Sequence, residues 1–228
     1  MGRLAQFSAS RQSQVISFAF QGLKRVLCLG AHSDDIEIGC GGTLLRLTEL
    51  SKDIEVYWVV FCSNAERARE AEASAQAFLR NASKKTIVVT PFRDGFLPYV
   101  GGEVKDFFEQ LKRTFDPELI FTHFRHDLHQ DHRLLCELTW NTYRNHMVLE
   151  YEIPKYDGDF SAPNFFVPLS KAICTAKVQH LMQHFGSQRS KHWFSEDLFY
   201  STLRIRGMEA NSPTQFAEGF YCRKMILS

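Results

Sequence analysis

Short apolar segments that alternate with helix-forming segments restrict the fold of this chain more than any other feature. Arg25–Gly30 and Leu119–Thr122 are dense in branched and aromatic residues, as buried parallel strands are. Ile54–Cys62 and Thr86–Thr90 predict two more strands, the latter stopped by Pro91. The segments around these strands are rich in helix formers or repeat apolar residues at helical spacing, which predicts helices at Gly39–Leu50, Ala65–Asn81, Val104–Phe115 and from Asp131 through Arg144.

This alternation predicts the fold class. Strands that alternate with helices form right-handed βαβ units around a parallel sheet. We therefore predict an α/β fold with a Rossmann-like, mostly parallel sheet flanked by helices in three layers, α/β/α. Because no linker or internal repeat divides the chain, we predict one domain over residues 23–228, after an N-terminal extension over residues 1–22.

The pattern is weaker in the last third of the chain. A turn-rich loop is expected over Tyr156–Asn164, and we assign Trp193–Tyr200 to packing. The remaining segments predict strands at Val148–Ile153, Phe165–Val167 and Ala217–Leu227 and a helix at Lys171–Phe185.

Composition excludes several classes of protein. The formal net charge of +1 provides no global attraction for nucleic acid. No stretch approaches the roughly 18 apolar residues that an integral membrane segment needs, and residues 1–21 do not resemble a secretory signal. The six cysteines form no C-x-x-C pair and several lie in apolar segments, which favours a reducing compartment, the cytoplasm. The sequence leaves the oligomeric state open and is compatible with a homo-oligomer.

The first cluster of reactive side chains follows the first predicted strand. His32, Asp34, Asp35 and Glu37 lie within six residues, ahead of the glycine-rich segment 39–43. Ligands of open parallel sheets bind at the carboxyl ends of the strands, so these side chains are well placed to bind a metal or to act as a base. In the alternative interpretation, one of the two aspartates only caps the next helix.

The second cluster follows the fourth predicted strand. It contains four histidines and three charged residues within ten positions: His123, Arg125, His126, Asp127, His129, Asp131 and His132. The first and fourth strands are neighbours in the common doubly wound order, so the two clusters are expected to meet in one crevice. Two histidines, one carboxylate and an open position suit catalytic zinc, and the same set suits ferrous iron.

The sequence lacks the motifs of dinucleotide-binding proteins, serine hydrolases and P-loop proteins. The first strand is followed by G-A-H-S-D-D and not by G-x-G-x-x-G, and the carboxylates would repel a pyrophosphate. The chain also lacks a G-x-S-x-G elbow and a P-loop, so serine-hydrolase and P-loop functions are without support.

The two clusters resemble motifs of a known family, the GlcNAc-PI de-N-acetylase (PIG-L/LmbE-like) deacetylases. Residues 31–43, A-H-S-D-D-I-E-I-G-C-G-G-T, resemble the family signature A-H-P-D-D-E-x-G-C-G-G-T. Ser33 replaces the usual proline, and Ile36-Glu37 shifts the following acid by one position, so we assign Glu37 no role. Further landmarks that resemble the family are Arg67 with Glu70, Asp94-Gly95, His129–His132, Ser187-Gln188 and Ala217–Phe220.

The resemblance implies a set of zinc ligands and catalytic residues. His32, Asp35 and His132 would bind zinc, although ferrous iron or another divalent transition metal remains an alternative. Asp34 would act as the general base on the attacking water. His129 would stabilise the oxyanion or protonate the leaving amine.

The resemblance also implies roles for residues outside the ligand set and a class of substrate. Asp131 would orient a neighbouring histidine, and Arg67 and Asp94 are candidates for binding substrate. The expected reaction removes an acetyl group from a small-molecule N-acetyl amino sugar or its conjugate, such as a sugar nucleotide or a glycolipid. The alternatives are an amidase for a non-sugar N-acyl substrate and a non-catalytic metal- or sugar-binding module.

Overall fold

The computed structural model describes Phe20 and residues 22–226, so nearly all of the predicted extension 1–22 lies outside the described residues. Strands and helices alternate from the first strand to the fourth helix, as the sequence predicts. The elements are β1 (Arg25–Gly30), α1 (Asp35–Leu50), β2 (Glu55–Cys62), α2 (Ala65–Phe78), β3 (Lys84–Phe92), α3 (Gly101–Thr114), β4 (Leu119–His123), α4 (Gln130–Thr142), β5 (Met147–Tyr151), β6 (Phe165–Pro168), α5 (Lys171–His184), α6 (Glu196–Glu209) and β7 (Ala217–Cys222), with short 3₁₀ turns at Leu97–Val100 and Gly186–Gln188.

The strands form one mixed sheet in the order β3-β2-β1-β4-β5-β7-β6. The first five strands in this order are parallel, and β7 runs antiparallel to both β5 and β6. Helices cover both faces of the sheet, which confirms the predicted three-layer α/β/α fold with a mostly parallel sheet. The order also confirms that β1 and β4 are neighbours, and the loops that carry the two clusters of reactive residues therefore leave the same edge of the sheet.

Successive residues of β1 face opposite sides of the sheet and belong to two separate cores. Val26 and Cys28 pack into the core that contains residues of α1, α2, α5 and α6. Leu27 and Leu29 pack into the core that contains residues of α3 and α4. All four side chains are completely buried. A strand that is buried on both faces explains the continuous apolar pattern of RVLCLG.

Two expectations for the first half of the chain were wrong. Helix α1 begins at Asp35 and not at Gly39, so the glycine-rich segment lies inside the helix. Strand β3 continues through Pro91 to Phe92. A proline removes one ladder donor, which an edge strand tolerates, and β3 is the edge of this sheet.

The last third of the chain also differs from expectation. Helix α6 was not predicted, because the segment Trp193–Tyr200 shows no clear helical pattern. Within the helix itself, Phe199 and Leu203 are the only large apolar residues that are buried. Strand β7 ends at Cys222, five residues before the predicted end. Within the part of the chain that the structure describes, no helix has both the length and the apolar character needed to cross a membrane.

Candidate metal centre and cleft

The two clusters of reactive side chains meet because β1 pairs with β4. The loop after β1 carries His32 and Asp34, and helix α1 begins directly afterwards with Asp35. His123 is the last residue of β4, and its Nε2 atom accepts a hydrogen bond of 2.9 Å from the backbone N–H of Ala31. This bond joins the two loops directly and fixes their separation.

Three ligand atoms from these loops form a small triangle. His32 Nδ1 lies 3.1 Å from His132 Nε2 and 3.2 Å from Asp35 Oδ2. The third side, from His132 Nε2 to Asp35 Oδ2, is 3.5 Å. Ligand atoms that bind one tetrahedral zinc ion at about 2.0–2.2 Å are about 3.3 Å apart. The geometry therefore fits one metal ion at this position, with a further position open toward the cleft.

The electrostatics of the triangle favour a bound cation. Burial lowers the pKa of His32 and of His132, but Asp35 together with the carboxylates hydrogen-bonded to each ring outweighs burial, and the pKa of both is raised. Burial raises the pKa of Asp35, and the neighbouring His132, His123 and His32 reverse this and hold it well below the usual value. A site that attracts protons this strongly also attracts a divalent cation that displaces them.

Carboxylates outside the triangle orient both histidines. His132 Nδ1 lies 2.9 Å from Asp127 Oδ2. His32 Nε2 lies 3.3 Å from Asp131 Oδ2 and 3.0 Å from Asp94 Oδ1. A carboxylate that accepts the second N–H of a histidine fixes its tautomer and leaves the other nitrogen free for a metal. The position of Asp131 agrees with the orienting role that the resemblance implies.

Asp34 lies beside the triangle with one carboxylate oxygen bonded and the other free. Its Oδ1 atom accepts a hydrogen bond of 2.7 Å from Nη2 of Arg67. Its Oδ2 atom is buried and has no hydrogen-bond partner among the described residues. Burial raises the pKa of Asp34 in spite of the opposing charge of Arg67. A carboxylate with a raised pKa and one free oxygen can accept a proton from a small molecule in the cleft.

His129 caps helix α4 and borders the same cleft. Its Nδ1 atom accepts the backbone N–H of Asp131 at 3.2 Å, so a neutral ring carries its proton on Nε2. Burial and the nearby His132 and His32 lower the pKa of His129, which favours this neutral form. The ring stacks on His132, with centroids 4.6 Å apart. His129 can therefore donate one hydrogen bond close to the ligand triangle.

A cleft of about 850 Å³ opens over the triangle, a volume in the usual range for small-molecule sites. Asp94 lines it with a 78% exposed side chain, so this carboxylate is accessible to a ligand. Arg67 also lines the cleft but is only 14% exposed, and its guanidinium is bonded to neighbouring side chains. The aromatic rings of Tyr156 and Trp193 form part of the outer walls.

Sequence reasoning assigned no individual role to two residues that complete the centre. The His123 ring stacks on that of His132, with centroids 3.8 Å apart, and is completely buried. Asp127 binds His132, and Lys155 Nζ lies 2.9 Å from its Oδ2 atom. Both residues belong to the histidine-rich cluster, but no sequence spacing distinguishes a residue that supports a ligand from a ligand.

The fold and the site define an α/β protein with a buried His/Asp cluster at the carboxyl edge of its sheet, whose geometry fits a metal ion. The sequence profile of one family, PIG-L, described as GlcNAc-PI de-N-acetylase, matches residues 27–143. The match spans both clusters and more than half of the chain. The chain belongs to the PIG-L family of deacetylases, as the motifs predict.

Individual proteins resemble this chain in sequence or in fold. The chain is 28% identical over 172 residues to the uncharacterised deacetylase YaiS of Escherichia coli K12, covering 71% of this chain and 90% of that protein. It shares its fold with N,N'-diacetylchitobiose deacetylase from Pyrococcus horikoshii, with a TM-score of 0.66, 22% identity, and coverage of 88% and 84% of the two chains. The 4-carboxy-2-hydroxymuconate hydratase GalB of Pseudomonas putida has the same fold, with a TM-score of 0.73, 15% identity, and coverage of 90% and 98%. The fold alone therefore does not define the reaction.

Proposed function

We propose that this protein is a zinc-dependent N-deacetylase that hydrolyses the amide of an N-acetylated amino sugar or its conjugate, releasing acetate and the free amine. The observation that carries the proposal is that five reactive side chains line the same cleft. They are His32, Asp35 and His132 of the ligand triangle, Asp34 with one unpartnered carboxylate oxygen, and His129. A module that only bound a metal or a sugar would need neither a base nor a donor in this cleft.

His32, Asp35 and His132 would hold the metal. When bound, zinc would act as a Lewis acid that polarises the amide carbonyl and acidifies a coordinated water. Zinc is preferred because two histidines and one carboxylate are a frequent set of catalytic zinc ligands, although the same set also suits ferrous iron.

The surrounding residues would carry out the proton transfers. Asp34 Oδ2 would accept a proton from the water that attacks the carbonyl carbon. The neutral His129 would donate a hydrogen bond through Nε2 to the developing oxyanion. The proton that Asp34 takes from the water would pass to the nitrogen of the leaving amine; alternatively, a protonated His129 would supply that proton and Asp34 would release its own to solvent. The C–N bond breaks as this nitrogen gains a proton, so acetate and amine leave in balance. Asp131 would hold the tautomer of His32 throughout.

The cleft supports a small-molecule substrate larger than one sugar ring. Its volume of about 850 Å³ lies near the upper end of the roughly 300–1,000 Å³ typical of small-molecule sites. The exposed Asp94 carboxylate would accept hydrogen bonds from sugar hydroxyls. Arg67, the other candidate from the sequence for binding substrate, is only 14% exposed and donates a hydrogen bond to Asp34. The faces of Tyr156 and Trp193 would pack against a sugar ring or its carrier. The cytoplasmic location and a homo-oligomer stay predictions from the sequence.

An acetate-release assay tests the reaction. Purified protein with a measured zinc content is incubated with N-acetylglucosamine, N,N'-diacetylchitobiose, an N-acetylglucosamine sugar nucleotide, an N-acetylglucosaminyl glycolipid and two non-sugar N-acetyl amines. We expect acetate from at least one sugar substrate. Release from the non-sugar amines alone would favour the amidase alternative. A zinc-loaded protein that releases no acetate from any of them would contradict the proposal.

Asp34→Asn tests the base. We expect turnover to fall by about 10²–10⁴-fold, because an amide cannot accept the proton, while zinc content stays at the wild-type level. The matched control is Asp53→Asn, which removes an exposed carboxylate from the turn between α1 and β2. Wild-type turnover in Asp34→Asn would exclude Asp34 from the mechanism.

A further inference from the structure

Two sequence landmarks that lie far apart in the chain meet beside the proposed base. Glu70 of α2 and Ser187 of the Gly186–Gln188 turn are 117 positions apart. The backbone N–H of Ser187 donates to Glu70 Oε1 at 2.8 Å, and the Ser187 hydroxyl donates to Glu70 Oε2 at 2.6 Å. The side-chain amide of Gln188 also donates to the Ser187 hydroxyl, at 2.9 Å. We call this pair the Glu70–Ser187 clamp; its Ser187 lines the cleft.

The clamp holds one end of the Arg67 guanidinium. Nη1 of Arg67 lies 3.3 Å from Glu70 Oε2 and 3.3 Å from the Ser187 hydroxyl oxygen. The guanidinium carbon lies 5.5 Å from the centroid of the buried Phe185 ring. Because the guanidinium is planar and rigid, fixing Nη1 also fixes the direction in which Nη2 points.

Nη2 points at Asp34. It donates to Asp34 Oδ1 at 2.7 Å, while Asp34 Oδ2 is buried without a partner among the described residues. A carboxylate held by one oxygen has a defined orientation of the other, and a catalytic group needs this to meet its substrate in the right geometry. A guanidinium bonded on both sides is also poorly available to a ligand.

We propose that Glu70 and Ser187 are positioning residues, which act through Arg67 to hold the free oxygen of Asp34 toward the attacking water. This inference rests on the proposed function, since it gives a purpose to the orientation of the base. In this proposal Arg67 orients the base Asp34, whereas the sequence suggested that Arg67 binds substrate.

Steady-state kinetics with N,N'-diacetylchitobiose distinguish a network that positions the base from a network that binds substrate. Ser187→Ala removes the hydroxyl, and Glu70→Gln removes the charge. We expect each to lower kcat by about 10- to 100-fold with KM and zinc content unchanged, because a misplacement of about 1 Å can cost about 10²-fold. Ser187→Thr keeps the hydroxyl and should restore most of kcat. Arg69→Met, on the exposed side of the same helix, is the control and should match the wild type.

The opposite kinetic pattern would overturn the proposal. A large rise in KM with unchanged kcat in Ser187→Ala and Glu70→Gln would show that the network binds substrate. Wild-type values of kcat in both variants would show that the clamp does not position the base.

Crystal structures of the wild type and Glu70→Gln test the geometry without relying on activity. We expect Arg67 Nη2 to lie within hydrogen-bond distance of Asp34 in the wild type and to leave it, or occupy several rotamers, in the variant. An unmoved guanidinium in Glu70→Gln would overturn the proposal. A displaced guanidinium in a protein that deacetylates none of the substrates would uphold the positioning network and count against the proposed function alone.

Discussion

At the scale of single residues, the candidate metal centre depends on which nitrogen of each histidine carries a proton. Asp127 and Asp131 each accept from one ring nitrogen and so direct the other toward the triangle. His123 has a different role. It accepts a hydrogen bond from the backbone N–H of Ala31, and its ring stacks on that of His132. A neutral His123 is required for this bond, and burial together with the charge of His132 lowers its pKa to about 4.

This lowered pKa predicts a pH dependence of stability in the metal-free protein. The unfolded chain binds a proton at His123 below about pH 6.5, whereas the folded chain does so only below about pH 4. His123 should therefore lower the free energy of unfolding by about 2 kcal/mol between pH 8 and pH 5, whereas His32 and His132, whose pKa values are raised, act in the opposite direction. Over this range, urea unfolding in the presence of a chelator should show that the wild type loses about 2 kcal/mol relative to His123→Gln. Equal pH dependence in the two proteins would contradict this account.

At the scale of elements, helix α1 carries the proposed ligand Asp35 and packs closely against its neighbours at three glycines, Gly39, Gly41 and Gly42. A Cβ atom on Gly39 would lie 2.1 Å from Cδ2 of Tyr151. The Tyr151 ring cannot move aside easily, because its hydroxyl donates to the backbone oxygen of Leu29 at 2.6 Å. Gly39 therefore allows α1 to lie close to β5, which neighbours β4 in the sheet.

Gly39→Ala should lower the free energy of unfolding by about 1–3 kcal/mol, because the added methyl group overfills this contact. Gly101→Ala is the matched control, since Gly101 has a helical backbone with φ of −54° and nothing within 4 Å of its Cβ position. The control should gain about 0.4–1 kcal/mol. Urea unfolding measures both changes. A Gly39→Ala protein as stable as the wild type would show that α1 has room to move.

A buried ion pair ties α1 to α5 and β7. Glu218 accepts from the backbone N–H groups of Gly42 and Thr43 at 2.8 and 2.6 Å. Lys177 Nζ donates to the Ile38 carbonyl oxygen and to Glu218, both at 2.6 Å. Both side chains are almost completely buried. The pair thus binds the middle of the helix whose first turn carries Asp35.

Glu218→Gln should destabilise the protein by about 3–5 kcal/mol, because it leaves the Lys177 ammonium buried without a counter-charge. Lys177→Met combined with Glu218→Gln should cost less than the sum of the single changes. The control is Lys171→Met, an exposed lysine at the start of α5, which should change stability by no more than about 0.5 kcal/mol. Denaturant unfolding at pH 7 is the measurement, and additive costs would contradict the coupling.

At the scale of the whole molecule, the cleft combines residues from the whole length of the described chain. Its walls come from the ends of β1, β2 and β3, from α4 and from the 153–156 and 187–193 segments. A metal ion would join two of these regions through His32, Asp35 and His132. The unfolded chain cannot present the three ligands together, so the metal is expected to stabilise the folded state.

Removal of the metal tests this link. At a free zinc concentration of 1,000 times Kd, binding contributes about 4 kcal/mol, which corresponds to a shift in Tm on the order of 10 °C for a chain of this size. We expect a chelator to lower Tm by this order and added zinc to restore it. His132→Ala should show no such response. An equal zinc response in His132→Ala would show that the ion binds elsewhere.

The sequence could predict the alternation of elements and the neighbouring positions of β1 and β4, because both follow from local periodicity and the connection rules of parallel sheets. It also predicted that the two clusters of reactive residues meet, because each follows one of these neighbouring strands. The ligand set of His32, Asp35 and His132 came from the resemblance to the family signature and stays a prediction. The sequence could not predict α6, whose pattern is too weak, or the start of α1, because the glycines that weaken its pattern are needed for close packing against Tyr151 and Phe78.

The sequence by itself determined the fold class and the chemical types of side chain available at the carboxyl edge of the sheet. Only the tertiary structure decided which of them touch. The Arg67–Asp34 bond, the Glu70–Ser187 clamp and the Glu218 contacts with α1 join segments 33, 117 and 176 positions apart. Such contacts depend on how every intervening strand and helix packs, and no local pattern encodes that sum.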